Sequence, residues 1–310
     1  MRYEISTNLN FNEEKYLAAN PDVVQGILRK EFKSGHNHFE NSGYLEKRVQ
    51  KISLEKDLPL AVVHVPKCAG TSLRIEIDRV SSNMYVGSKY SVRKPLRKFF
   101  RTFNSTSFDP ELIANTWTIK DLQAARNQYD CVMGHISLQD FHQADFRDFL
   151  VVVREPRVRL LSEFSFLFSN SAYKNYLEKF SATTSKEYFQ NYASKVSRNV
   201  IHNLTSGRYI FDWLNKDLNI SCYWNDEVPR IMLEMFGREA QNIRVNGIGS
   251  KSYEIDFRVL DLIHELTEKD SAMLNRLMNS GLLTERSKEK MDKEFGLYIK
   301  QNFNYVKKLI

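Results

Sequence analysis

The chain has 310 residues, 42% hydrophobic and 27% charged, which suits a globular protein with one large core and room for a small extra module. Its net charge of +7 favours an anionic ligand or partner and leaves nucleic acid, phosphate-bearing cofactors and acidic polysaccharide all open. Three scattered cysteines, Cys68, Cys131 and Cys222, exclude a disulfide framework and a zinc-binding spacing.

The N-terminus, "MRYEISTNLNFNEEKYL", lacks the basic-then-apolar order of a signal peptide, and no apolar run approaches the ~20 residues that span a bilayer. A cytoplasmic setting without a membrane span is therefore expected. Residues 11–48 read as a helical module: Asn20-Pro21-Asp22 stops one helix and caps the next, and Ser34-Gly35 and Ser42-Gly43 break the remainder of the module into short pieces. This stretch resembles a short repeat found beside catalytic domains in bacterial glycosyltransferases, sulfotransferases and other surface-polysaccharide proteins, which implies no chemistry of its own. The expected division is a helical module over 1–50 and a second domain over 51–310.

From Leu58 the pattern changes. "LAVVHV" and "DFLVVVREP" are valine-rich runs suited to parallel strands buried on both faces, with His64 read as part of the core. Each leads into a helical spacing, Leu73-Ile77-Val80 after the first and Val158-Leu161-Phe164-Phe168 after the second. "YDCVMGHI" is a third candidate strand between them. Strands alternating with helices predict an α/β fold on a central parallel sheet, with ligands at the carboxyl ends of the strands. From Ser169 onward the chain reads as mostly helical and polar. A packed terminal helix is expected from about Thr284, carrying Met291, Phe295, Tyr298 and Val306.

"HVPKCAGTSL" joins the first strand to its helix. The first N–H groups of a helix have no intrahelical partners, and the helix dipole adds partial positive charge there, so the turn suits an anion. Gly70 permits close backbone approach, Thr71 and Ser72 offer hydroxyls, and Lys67 offers a full charge. A Walker A loop places its lysine immediately before the Ser or Thr; here it comes four residues earlier, which disfavours an ATP or GTP hydrolase. Cys68 beside Lys67 raises a phosphatase-type nucleophile, but "KCAGTS" lacks the arginine-terminated cradle such a loop needs. After the second strand, Arg154 and Ser162 lie eight residues apart, within about 80° of one another on a helix, so an arginine fork and a hydroxyl face one dianion.

With these residues in view, "VPKCAGTSL" resembles the 5′-phosphosulfate loop, and "VREPRVRLLSEFSF" the 3′-phosphate motif, of sulfotransferases that use 3′-phosphoadenosine 5′-phosphosulfate (PAPS). The likeness is to the carbohydrate branch that includes the heparan sulfate 2-O-sulfotransferases. "GHISLQDF" is similar to that branch's Gly-His segment, and "NVIHNLTSG" and "VNGIGSKSYEI" fall where the family has a helix-ending Ser-Gly and a cofactor-covering loop. Coverage runs from about residue 58 to 285.

The resemblance implies a P-loop-like three-layer α/β fold and sulfuryl transfer from PAPS to a carbohydrate hydroxyl, with PAP as product and no metal. His135 would be the catalytic base and Lys67 would balance charge on the leaving phosphate. Lys67, Cys68, Ala69, Gly70, Thr71 and Ser72 would cradle the 5′-phosphosulfate, Arg154 and Ser162 the 3′-phosphate, and Ser250 and Lys251 would add contacts from the late loop. Other readings stay open: a tyrosyl-protein or small-molecule sulfotransferase, or a non-catalytic PAP- or polysaccharide-binding protein. Residues 80–107 contain no acid, and Lys89, Arg93, Lys94, Arg97, Lys98 and Arg101 within them form either a solvated face or a groove for an anionic sugar. No nucleic-acid motif accompanies that charge. The segment that would choose the acceptor, roughly 170–205, matches no assignable pattern.

Overall fold

The structure, a computed structural model, describes residues 2–54, 58–80, 84–87, 118–169, 218–241, 253–255 and 257–305. It falls into two compact units, one of residues 1–58, 71–82 and 226–244, the other of 59–70, 83–225 and 245–310.

In the first unit, β1 (Tyr3–Ile5) pairs antiparallel with β2 (Val49–Lys51), and helices α1 (Glu13–Ala19), α2 (Pro21–Leu28) and α3 (Gly35–His38) lie between them in sequence. Asn12 caps α1 by accepting from the Lys15 N–H, and Ser34 caps α3 by accepting from Asn37. Asn20 ends α1 as the spacing requires, but its side chain does not cap α2. Its amide donates instead to the Tyr16 and Val49 carbonyls, both at 2.8 Å, which ties the helix end to β2. Tyr16, Val23 and Phe39 form the local core. The same unit contains most of α4 (Gly70–Val80) and all of α8 (Val228–Phe236), which ends at Gly237 in the left-handed region (φ 63°) with Tyr3 packed where a Cβ would stand.

The second unit is built on a five-stranded parallel sheet, in the order β4 (Met84–Gly87), β5 (Cys131–Gly134), β3 (Leu60–Val63), β6 (Asp148–Val153), β7 (Asn219–Trp224). Every residue of β3, β5 and β6 is buried, as uninterrupted valine-rich runs demand. Helices α5 (Ile119–Gln128), α6 (Leu138–Gln143) and α7 (Pro156–Ser169) connect or follow these strands; α5 opens on a capping box between Thr118 and Asp121. The long helix α9 (Phe257–Asn279) and the terminal helix α10 (Lys288–Asn302) pack on α7 through Val158, Leu161, Val259, Ile263 and Phe295. A short parallel pair joins β8 (Tyr253–Ile255) to β9 (Phe303–Tyr305).

The α/β class and the P-loop-like parallel sheet agree with the expectation; the terminal helix is present and carries Met291, Phe295 and Tyr298, but it ends at Asn302, before β9, and Val306 lies outside the described residues. One element differs. The region after Ser169, read as mostly helical, supplies β7, of which Asn219 is exposed, Ile220 and Ser221 are half-buried and only Cys222–Trp224 is buried. Pairing with β6 over six residues makes it a strand, a tertiary cause that overrides a weak local pattern.

Candidate active site

The carboxyl ends of β3, β5 and β6 lie side by side, and the sequence-predicted site residues of the second unit come directly after them. Val63 stands opposite Gly134 on one side and Val151 on the other. The ladder runs one residue further, with the His64 N–H donating to the Gly134 carbonyl at 2.9 Å. The residues after those strand ends, His64 and His135, are therefore neighbours, and their rings stack with centroids 4.2 Å apart and planes 24° from parallel.

His64 does not sit in the core. It is half-buried and its ring lies over Gly70, so that a Cβ added there would fall inside the imidazole. The room that Gly70 makes is thus for His64 as much as for a ligand. Nδ1 of His135 lies 2.8 Å from the His64 carbonyl oxygen, which can only accept. The proton of the neutral ring is accordingly on Nδ1, and the lone pair is on Nε2.

The loop between His64 and α4 alternates in handedness. Lys67 has φ 66° and Ala69 φ 53°, with Cys68 between them outside the left-handed region. Such alternation turns successive N–H groups toward one side and makes a concavity suited to an anion. Burial pushes the Lys67 ammonium down to about 8; Glu163 opposes this, and the charges of Arg154 and Arg159 add to it. Cys68 points inward, with its thiol pushed up to about 12 by burial and its Sγ 3.7 Å from the Pro66 carbonyl. It is no thiolate nucleophile, and its N–H closes a turn onto Val65 at 3.3 Å. Gly70, Thr71 and Ser72 open α4; Thr71 is exposed and Ser72 buried.

Arg154 follows β6. Its Nη1 donates to the Lys67 carbonyl at 3.3 Å, and its guanidinium lies 5.1 Å from the centre of the Tyr298 ring. Ser162, buried two turns into α7, bears on the same tyrosine, so Arg154 and Ser162 meet at Tyr298. Ser250, Lys251, the basic run Lys89–Arg101 and residues 170–205 lie outside the described residues. Among the described residues, no cluster of three or more His, Cys, Asp or Glu side chains has the geometry to hold a metal.

Three residues near the site were not found from sequence. His64 carries the carbonyl that the His135 ring bonds to. Tyr298 stands against Arg154. Arg159, fully buried, donates to Glu163 at 2.6 Å and places its charge near Cys68 and Lys67. Arg159 alone left a trace: a cation on an apolar helix face, which needs a buried acid nearby.

The model of the Sulfotransferase family matches residues 50–235, more than half of the chain. A search of curated proteins finds no match. No helix of the described residues is long and apolar enough to cross a membrane.

Proposed function

The chain belongs to the sulfotransferase family, and we propose that it transfers the sulfuryl group of PAPS to a hydroxyl of a carbohydrate acceptor. PAPS supplies the activated sulfuryl group; the protein must place an acceptor oxygen in line with the leaving phosphate and neutralise the charge that develops there. In this reading Nε2 of His135 accepts the acceptor's proton, and the hydrogen bond from Nδ1 to His64 holds the ring in the tautomer that can do so. Lys67 and the N–H groups of the left-handed loop face the leaving phosphate, and Arg154 with Ser162 holds the 3′-phosphate. An anion beside Arg154 is supported by its buried Nε, which lacks a hydrogen-bond partner among the described residues.

The observation that supports the reading is the pairing of His64 with His135, which orients the His135 ring one strand away from the lysine loop. The carbohydrate class rests on the Gly-His segment and on the acid-free basic run over residues 80–107. A cytoplasmic setting, where three buried, unbridged cysteines stay reduced, completes the proposal. Labelled PAPS incubated with the full chain and a panel of glycans, tyrosyl peptides and phenols tests it. Label on a glycan is the expected result. Label on a peptide or phenol alone overturns the acceptor class, and no transfer to any of them overturns the activity.

A further inference from the structure

Tyr298 lies on α10, beyond residues 50–235 that the family model covers. Its ring packs against Phe303 and the apolar cluster under α7, as its helical spacing predicts. The other end of the side chain does not behave as a core residue. Among the described residues neither the buried hydroxyl oxygen nor Nε of Arg154, whose guanidinium lies over the ring at 5.1 Å, makes a hydrogen bond of good geometry, and the hydroxyls of Ser162 and Ser165 lie beside the phenol. A buried hydroxyl so weakly satisfied destabilises the fold, so a tyrosine here without a ligand is a poorer choice than phenylalanine.

The groups that bear on the phenol, among the described residues, are the hydroxyls of Ser162 and Ser165 and the charge of Arg154; none is a carboxylate. Burial raises the phenol's pKa, which keeps its proton in place as a donor at neutral pH. Both serines are buried on α7, three residues apart and so on one face. The Tyr298 and Ser162 hydroxyls and the Arg154 guanidinium thus converge from α10, α7 and the end of β6, with no carboxylate among the described groups that bear on the phenol. An anion with several acceptor oxygens suits all three, and a terminal phosphate has three.

We propose that Tyr298 is part of the 3′-phosphate receptor, its ring supporting the Arg154 guanidinium and its hydroxyl donating to the phosphate. The inference rests on the PAPS reading above and adds to it a specificity-determining residue from the C-terminal helix. Tyrosine answers both needs at once: the face holds a cation and the tip offers a hydrogen bond.

The test is Tyr298→Phe in the full chain, with PAP and 5′-AMP, which differ in the 3′-phosphate alone, titrated by calorimetry. The ring and its contact with Arg154 persist in this variant and only the hydroxyl is lost. PAP affinity should fall about ten- to a hundredfold, the worth of a hydrogen bond to a charged acceptor, while AMP affinity stays within twofold. The unliganded variant should melt at or above the wild-type temperature, because a weakly satisfied polar atom has been removed. Equal loss for PAP and AMP, or a lowered melting temperature, would mean that the hydroxyl serves the fold and not the phosphate. Wild-type affinity for PAP in the variant, with the wild type itself preferring PAP, overturns this inference alone. A wild type that does not distinguish PAP from AMP overturns the PAPS reading as well.

Discussion

Lys67 carries the least comfortable charge in the loop, and its titration gives a direct test of the site. Burial and two nearby arginines bring its pKa to about 8, against 10.5 for an exposed lysine. An anion bound beside it restores the charged form, so the protonated enzyme binds PAP and the neutral enzyme binds it poorly. At pH 7 about nine-tenths of Lys67 is charged and at pH 9 about one-tenth, so PAP affinity should drop roughly tenfold between them. The linked effect on stability has the opposite sense. Between 8 and 10.5 the unfolded chain binds more protons than the native one, so the unliganded protein gains stability as pH rises through that window. At pH 7 the depression amounts to roughly 3 kcal/mol of stress, which Lys67→Met should relieve as a raised melting temperature. The assay is calorimetry with PAP from pH 7 to 9.5 on wild type, Lys67→Arg and Lys67→Met. Lys67→Arg should bind with no break near pH 8, since its guanidinium stays charged, and Lys67→Met should bind weakly at every pH. A flat wild-type profile, or the same break in Lys67→Arg, would refute the assignment.

His135→Ala should keep PAP affinity within about twofold and lower kcat about a hundred- to ten-thousand-fold, as loss of a positioned base does; near-normal turnover would remove histidine from the mechanism. Ala69→Gly should stabilise the unliganded protein by about 0.5–1 kcal/mol in a urea titration, because φ 53° strains any residue with a Cβ; a destabilised variant would show that the alanine methyl matters more than the strain. The division near residue 50 is tested by truncation to residue 52, which removes β1 and β2 together and leaves neither strand unpaired. PAP binding should survive, since the truncation removes no strand of the parallel sheet, with a lower melting temperature from loss of Tyr3 against Gly237. Loss of PAP binding in a soluble truncation would place residues 1–51 within the catalytic body.

The parts of the fold legible in sequence were those in which burial is continuous. "LAVV" and "DFLVVV" announce central parallel strands because both faces must be apolar, and the helices after them are evident from spacing alone. "NISCYW" did not announce itself, since an edge strand buries only part of its length and the run has the polarity of a loop. The anion loop was readable from Lys67, Gly70 and the hydroxyls after them. His64 was misread, because a histidine at the end of an apolar run looks like core; only the register of β3 against β5 reveals that it stacks on His135. Tyr298 fits an apolar helical stripe without remainder, and nothing in the linear pattern says that Arg154 lies over its ring.

The strand order explains why these groups can cooperate. The chain visits β3, steps out to β4, returns by β5, and then crosses to the far side of β3 to form β6 and β7. Adjacent connections therefore leave β3 in opposite directions, and a crevice opens at the carboxyl ends of the central strands. His135 follows β5, Lys67 follows β3, and Arg154 follows β6, on three neighbouring strands about 4.8 Å apart in turn. A nucleotide lying across those ends would present its 3′-phosphate to α7 and its 5′ end to the lysine loop, with the acceptor hydroxyl arriving from the β5 side. That order of contacts requires β3 to be the middle strand: exchanging the places of β3 and β6 would put Arg154 between Lys67 and His135. The hydrogen bond from His135 to the His64 carbonyl spans the junction of β5 and β3, so the pairing that joins those strands also orients the His135 ring.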